Sequence, residues 1–152
     1  MISKDLLVDL AQRYENARTW NAKRGIGTFL TFEIGDEVKP GTGRLHVWVQ
    51  YASWSLKRRG RELLSSEHHA DEYAEPLSWL DGRSLREITT HGGGGPTVVT
   101  ITFSNDFELQ AFADLENYAP EDDLVSFFES DGGIISVSSE LGPYEETPSS
   151  HE

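Results

Sequence analysis

The sequence predicts an α+β protein: mainly antiparallel β-structure of about eight strands, with an N-terminal helix and a short middle helix. Three observations carry this. Residues 44–56, Arg-Leu-His-Val-Trp-Val-Gln-Tyr-Ala-Ser-Trp-Ser-Leu, are dense in β-branched and aromatic side chains, the strongest strand signal in the chain. Near the N-terminus, Leu6, Leu7, Leu10, Ala11, Tyr14 and Ala17 recur at helical spacing. From Thr97 onward, short alternating runs are punctuated by Asn-Asp and Asp-Gly turns.

The helix is expected from Lys4 to about Ala17, with Ser3 as N-cap and Asp5 suited to the helix dipole. Trp20–Gly25 reads as a loop. Thr28–Ile34 alternates, with Leu30, Phe32 and Ile34 on one face, and the glycine-rich Gly35–Gly43 reads as a turn or hairpin loop. In the central strand, Leu45, Val47, Val49 and Tyr51 face one way, and His46, Trp48, Ala52, Trp54 and Leu56 the other. Both faces are largely apolar, which predicts cover on both sides. Thirteen residues would span about 43 Å, too long for a small domain without a bend or bulge. Without a bulge, Trp48 and Trp54 share a face.

Lys57-Arg58-Arg59-Gly60-Arg61 is a basic hairpin tip leading into Glu62–Ser65. Ser66–Pro76 reads as a short helix, capped by Ser65 or Ser66 and stopped by Pro76. Leu77, Trp79 and Leu80 return the chain to the core. Leu85–Thr90 is a short strand, and His91–Pro96, with four glycines, is a mobile connection. Thr97–Phe103 and Phe107–Phe112 form one hairpin. An acidic loop, Asp114–Asp123, precedes a second hairpin from Leu124–Glu129 and Gly133–Ser138.

These elements make a single domain over residues 1–140, followed by an acidic, disordered tail at 141–152. Within it, Thr28–Phe32 resembles Val99–Phe103, Leu45–Val49 resembles Leu124–Phe128, and Gly60–Glu67 resembles Gly132–Glu140. The order is consistent with two copies of one unit, halves 1–91 and 96–140. Chance similarity between alternating strands is the alternative.

Charge is segregated along the chain. Residues 1–86 hold all 13 Lys and Arg and 12 acids, a sum of +1; residues 87–152 hold 14 acids and no Lys or Arg, a sum of −14. Such a field repels nucleic acid and anionic membrane and attracts basic partners. A plain solubility surface is the competing role. No cysteine is present, which rules out disulfides and thiolate chemistry and suits a reducing, cytoplasmic setting. The polar N-terminal segment does not read as a signal peptide, and no apolar run approaches the roughly 20 residues of a membrane span.

Chemical motifs are sparse. His68 and Glu72 stand four apart, as a metal pair or a general base with its carboxylate would, with His69 and Asp71 beside them. No third ligand follows at motif spacing, so a solvated helix face is the commoner role. The glycine run lacks the Lys-Ser or Lys-Thr of a phosphate loop, and no Gly-x-Ser-x-Gly elbow occurs. His46 reads as a hydrogen-bonded core histidine. No catalytic residue and no cofactor is predicted.

The run from Thr97 to Val137, following the tryptophan-rich Gly27–Leu56, resembles small uncharacterised bacterial β-rich domains, some of them presumed immunity proteins for polymorphic toxins. The resemblance rests on pattern over much of the chain and carries over no functional residue. It implies an immunity-type role; the charge segregation, and not the resemblance, makes the expected partner basic.

Three functions are therefore open. The first is an interaction protein whose acidic half binds a basic partner through Glu116, Tyr118, Glu121, Asp122 and Asp123. The second is a small-molecule module with a pocket lined by Trp48, Trp54 and Trp79. The third is a metal-dependent hydrolase using His68, His69, Asp71 and Glu72.

Overall fold

A computed structural model describes residues 5–25, 29–68, 72–92 and 96–146. The class is α+β, with two helices and two wholly antiparallel sheets containing eleven strands among the described residues. In chain order these are α1 (Leu6–Arg13), β1 (Thr19–Arg24), β2 (Leu30–Lys39), β3 (Thr42–Val49), β4 (Ser53–Arg58), β5 (Arg61–Ser65), α2 (Ala74–Ser78), β6 (Leu85–His91), β7 (Val98–Phe103), β8 (Phe107–Phe112), β9 (Asp123–Glu129), β10 (Ile134–Ser138) and β11 (Gly142–Glu146). One sheet runs β1-β2-β3-β9-β10-β11 and the other β5-β4-β8-β7-β6. They pack over a single apolar core, where Phe32 of β2 meets Phe103 of β7 edge to face at 5.9 Å.

The strand count exceeds eight for three local reasons. Trp20–Arg24, expected as a loop, is the edge strand β1. Asn21 lies at φ 56° and the register with β2 shifts between Trp20 and Lys23, so a bulge hides the alternation. Gly142–Glu146, expected in the tail, pairs along its whole length with β10. The central strand is two strands, β3 and β4, in different sheets.

That break sets up the rest of the architecture. Leu45, Val47 and Val49 of β3 are fully buried, while His46 and Trp48 point to the outer face. The chain leaves the first sheet through Gln50–Ala52 and enters the second with Trp54 and Leu56 inward. The inward parity therefore flips from odd to even, and Tyr51, expected in the core, is exposed at the break.

The helices close the sandwich. α1 packs on β6 and β11, one edge from each sheet, through Leu7, Leu10 and Ala11. Its N-cap is Asp5, which accepts from the Leu7 and Val8 amides at 3.2 and 3.1 Å; Ser3 lies outside the described residues. The helix ends at Arg13, before Ala17, and Asn16 turns away at φ 71°. α2 packs on β1. Pro76 sits inside it and does not stop it, because the first turn of a helix needs no amide there.

Elsewhere the turns follow local chemistry. β2 runs on to Lys39, beyond the expected turn at Gly35, and a two-residue Pro40-Gly41 turn leads into β3, with Gly41 at φ 79°. The basic β4–β5 hairpin tip is stitched to the β7–β8 turn: Arg59 pairs with Asp106 at 3.1 Å, and Arg58 lies over the Phe107 ring at 5.1 Å. No helix among the described residues is long and apolar enough to cross a membrane.

Candidate functional site

The two outer sheet faces differ in kind. On the five-stranded sheet, β7 and β8 alternate as antiparallel strands with one wet face should, presenting Thr100, Thr102, Glu108 and Gln110 outward. The outer face of the six-stranded sheet is aromatic. Phe128 of β9 lies 5.8 Å from His46 and 6.3 Å from Trp48 of β3. Phe29 meets Trp48 at 5.7 Å and Tyr51 at 5.6 Å, both edge to face, and Tyr51 meets Tyr118 at 5.7 Å. Six ring systems thus form a continuous, mostly half-buried ribbon across the face.

The ribbon ends at the acidic loop between β8 and β9. The loop is built by its own polar groups: the Asn117 and Tyr118 amides donate to the Asp114 carbonyl, and the Ala119 amide donates to the Asp122 carboxylate at 3.0 Å. The Glu140 amide donates to the Pro120 carbonyl at 2.9 Å, which docks the β10–β11 turn beside it. Leu115 of the loop is 58% exposed and Leu141 of the docked turn 62%, while Tyr51 touches Tyr118 and Phe112 ends β8 just before the loop. Exposed apolar side chains interleaved with acids on a surface loop are the composition of a partner-binding patch.

The predicted loop residues divide into two groups. Glu116 and Glu121 are exposed, Tyr118 is half-buried against Tyr51, and none of the three takes part in an ion pair among the described residues. Asp122 and Asp123 serve the fold. Asp122 caps the turn at Ala119. Asp123 begins β9 and accepts from the Tyr144 hydroxyl at 2.6 Å. Burial raises the Asp123 carboxyl above its ordinary value; the Tyr144 hydrogen bond opposes this, and Glu146 and Asp122 add to it. Two other acids of the C-terminal half are paired across the fold: Asp106 with Arg59, and Glu129 with Arg13 at 3.0 Å and the Tyr14 hydroxyl at 2.8 Å.

The three tryptophans of the alternative pocket do not converge. Trp54 is wholly buried against Tyr73, Trp48 lies on the aromatic face, and Trp79 caps the end of α2. His69 and Asp71 lie outside the described residues. The His68 Nδ1 accepts the Ser65 amide at 3.0 Å, so that nitrogen is occupied within its own turn. Among the described residues no group of three or more His, Asp or Glu is placed to hold a metal.

His46 is hydrogen-bonded, but on the outer face and not in the core. Its Nδ1 lies 2.5 Å from a carboxylate oxygen of Glu33, whose other oxygen accepts the Gly43 amide at 2.9 Å. Glu33 is almost fully buried, and the pair joins directly opposed residues of β2 and β3. A carboxylate in this position fixes the orientation and tautomer of the imidazole. Phe29, Tyr51, Leu115, Phe128 and Leu141 were not legible as site residues: an outward aromatic and an inward one look alike until the sheet pairing is known. Comparison with known protein families, curated proteins and solved structures finds no match.

Proposed function

We propose that the protein is a non-enzymatic interaction protein that binds a basic protein partner across the acidic loop and the adjoining aromatic face. The observation that carries this is the junction at Tyr118. There the loop that carries exposed Glu116, Glu121 and Leu115, with no ion pair at either acid among the described residues, joins the end of the aromatic ribbon. Aromatic anchors supply most of the affinity in such interfaces, and a charged rim supplies steering and partner choice. The 14 acids of residues 87–152, with no Lys or Arg among them, favour a cationic surface opposite. An immunity-type role, with a basic toxin as the partner, fits both this chemistry and the resemblance drawn from the sequence.

The test uses whatever protein the full chain captures from its source cells. Glu116→Gln with Glu121→Gln leaves the turn-capping Asp122 and the half-buried Asp123 intact. The expected result is a several-fold slower association at low salt and a flatter salt dependence, since exposed charges are screened over about 8 Å at physiological ionic strength. An unchanged association rate with unchanged salt dependence overturns the reading.

A further inference from the structure

On the outer face of the five-stranded sheet, beneath the acidic loop, lies a depression of about 330 Å³, within the range of small-ligand sites. Its floor is hydroxyl-rich, with Ser53 and Ser55 from β4 and Ser65 from β5. Phe112 and Tyr118 stand beside it, and Glu62, Glu67 and Asp114 bring three carboxylates. No Lys or Arg is found among the described residues that line it.

The floor contains an unsatisfied group. Ser55 is only 4% exposed, and its hydroxyl has no hydrogen-bond partner among the described residues. The neighbouring hydroxyls are engaged: Ser53 donates to Asp114 at 3.3 Å, and Ser65 contacts His68 at 3.1 Å. The Ser55 hydroxyl therefore opens onto the depression, where a ligand can supply the partner that the fold does not.

We propose that this depression receives an alkylammonium group, with Ser55 and the carboxylates as acceptors and Phe112 and Tyr118 as the aromatic contacts. The carboxylates are too dispersed to converge on a metal ion, whereas spread negative charge and ring faces suit an organic cation. A compact ammonium with three donors fits one deep hydroxyl and scattered carboxylates. A planar guanidinium prefers a paired carboxylate fork. The proposal deepens the interaction reading, because Tyr118 belongs both to this depression and to the aromatic ribbon. A lysine of the basic partner is one source of the group, and a free diamine is the other.

The test needs no partner, so its failure is separate from failure of the interaction reading. Isotope-labelled full-length protein is titrated with pentane-1,5-diamine, with a blocked lysine tripeptide, and with pentan-1-ol as the neutral control. The diamine is expected to shift the amide signals of Ser55 and Phe112 saturably, and the alcohol to leave them in place. Ser55→Ala should weaken diamine binding by about threefold to tenfold, and Glu62→Gln with Glu67→Gln by about tenfold. Those two glutamates are exposed, so their replacement spares the fold. Equal shifts with the tripeptide assign the site to a lysine side chain; entry of the diamine alone assigns it to a free amine. Equal response to pentan-1-ol, binding unchanged in both variants, or no saturable shift up to about 100 mM overturns the proposal.

Discussion

The ring of Tyr118 lies 5.7 Å from that of Tyr51, and this contact ties the acidic loop to the break between β3 and β4. Through it the loop is continuous with the rings of Phe29, Trp48 and Phe128. Such a contact is worth about 1 kcal/mol to the fold, but an anchor inside an interface is worth about 2 kcal/mol or more to binding. Tyr118→Ala should therefore weaken binding of the captured partner by about thirtyfold or more while lowering Tm by only a few degrees. Tyr118→Phe should bind nearly as well as the native protein. Native affinity in the Ala variant would leave the loop with charge as its only contribution.

Trp48 and Trp54 predict opposite phenotypes. Trp54 has no exposed surface and packs edge to face on Tyr73 at 5.5 Å, so Trp54→Ala should cost about 3–5 kcal/mol in urea denaturation. Trp48 is half-exposed and touches Phe29 and Phe128, so Trp48→Ala should cost about 1–2 kcal/mol and act mainly on partner binding. Equal costs would mean that the outer face is covered as fully as the core.

The reasons for this division also mark what was legible in the sequence. The excess length of residues 44–56 required a bend, and the bend exists. What alternation does not encode is that the chain changes sheets there and reverses parity, which moves Trp54 inward and Tyr51 to the surface. The hairpins β7–β8 and β9–β10 were readable because their turns, Asn105-Asp106 and Asp131-Gly132, carry residues that adopt positive φ. β1 and β11 were not, because an edge strand is defined by its neighbour more than by its own alternation. In the candidate site, acid density pointed to the loop. The division of Glu116 and Glu121 from Asp122 and Asp123 depends on hydrogen bonds that composition does not encode.

The Glu33–His46 pair should be energetically coupled. Gly43 lets the carboxylate sit against the backbone: a Cβ there would lie 3.1 Å from both the Glu33 Cβ and the Ile34 carbonyl oxygen. His46→Ala removes the partner of a buried carboxylate and should cost about 1–3 kcal/mol. Adding Glu33→Gln should cost less in the His46→Ala background than in the native protein. A double-mutant cycle in urea measures the difference, and additive costs would show that the pair contributes no coupling.

The last prediction concerns pH. Because the Asp123 carboxyl titrates above its ordinary value of 3.8 in the folded state, the native protein holds this proton more tightly than the unfolded chain does. The unfolded state therefore binds fewer protons between the two values, and stability falls as pH rises through that window. The contribution is fully present below the unfolded value and lost once pH passes the folded one. Asp123→Asn cannot titrate, so any deficit of the variant against the native protein should shrink as pH rises from about 3.5 to 7. Tyr144→Phe gives the converse test. The Tyr144 hydroxyl donates to the carboxylate and opposes the upward shift, so its loss should raise the Asp123 value further and steepen the fall of stability with pH. Urea midpoints for the native protein and both variants, measured in steps across this range, check both effects. A deficit in Asp123→Asn that stays constant with pH, together with an unchanged slope in Tyr144→Phe, would place the titration elsewhere in the acidic half.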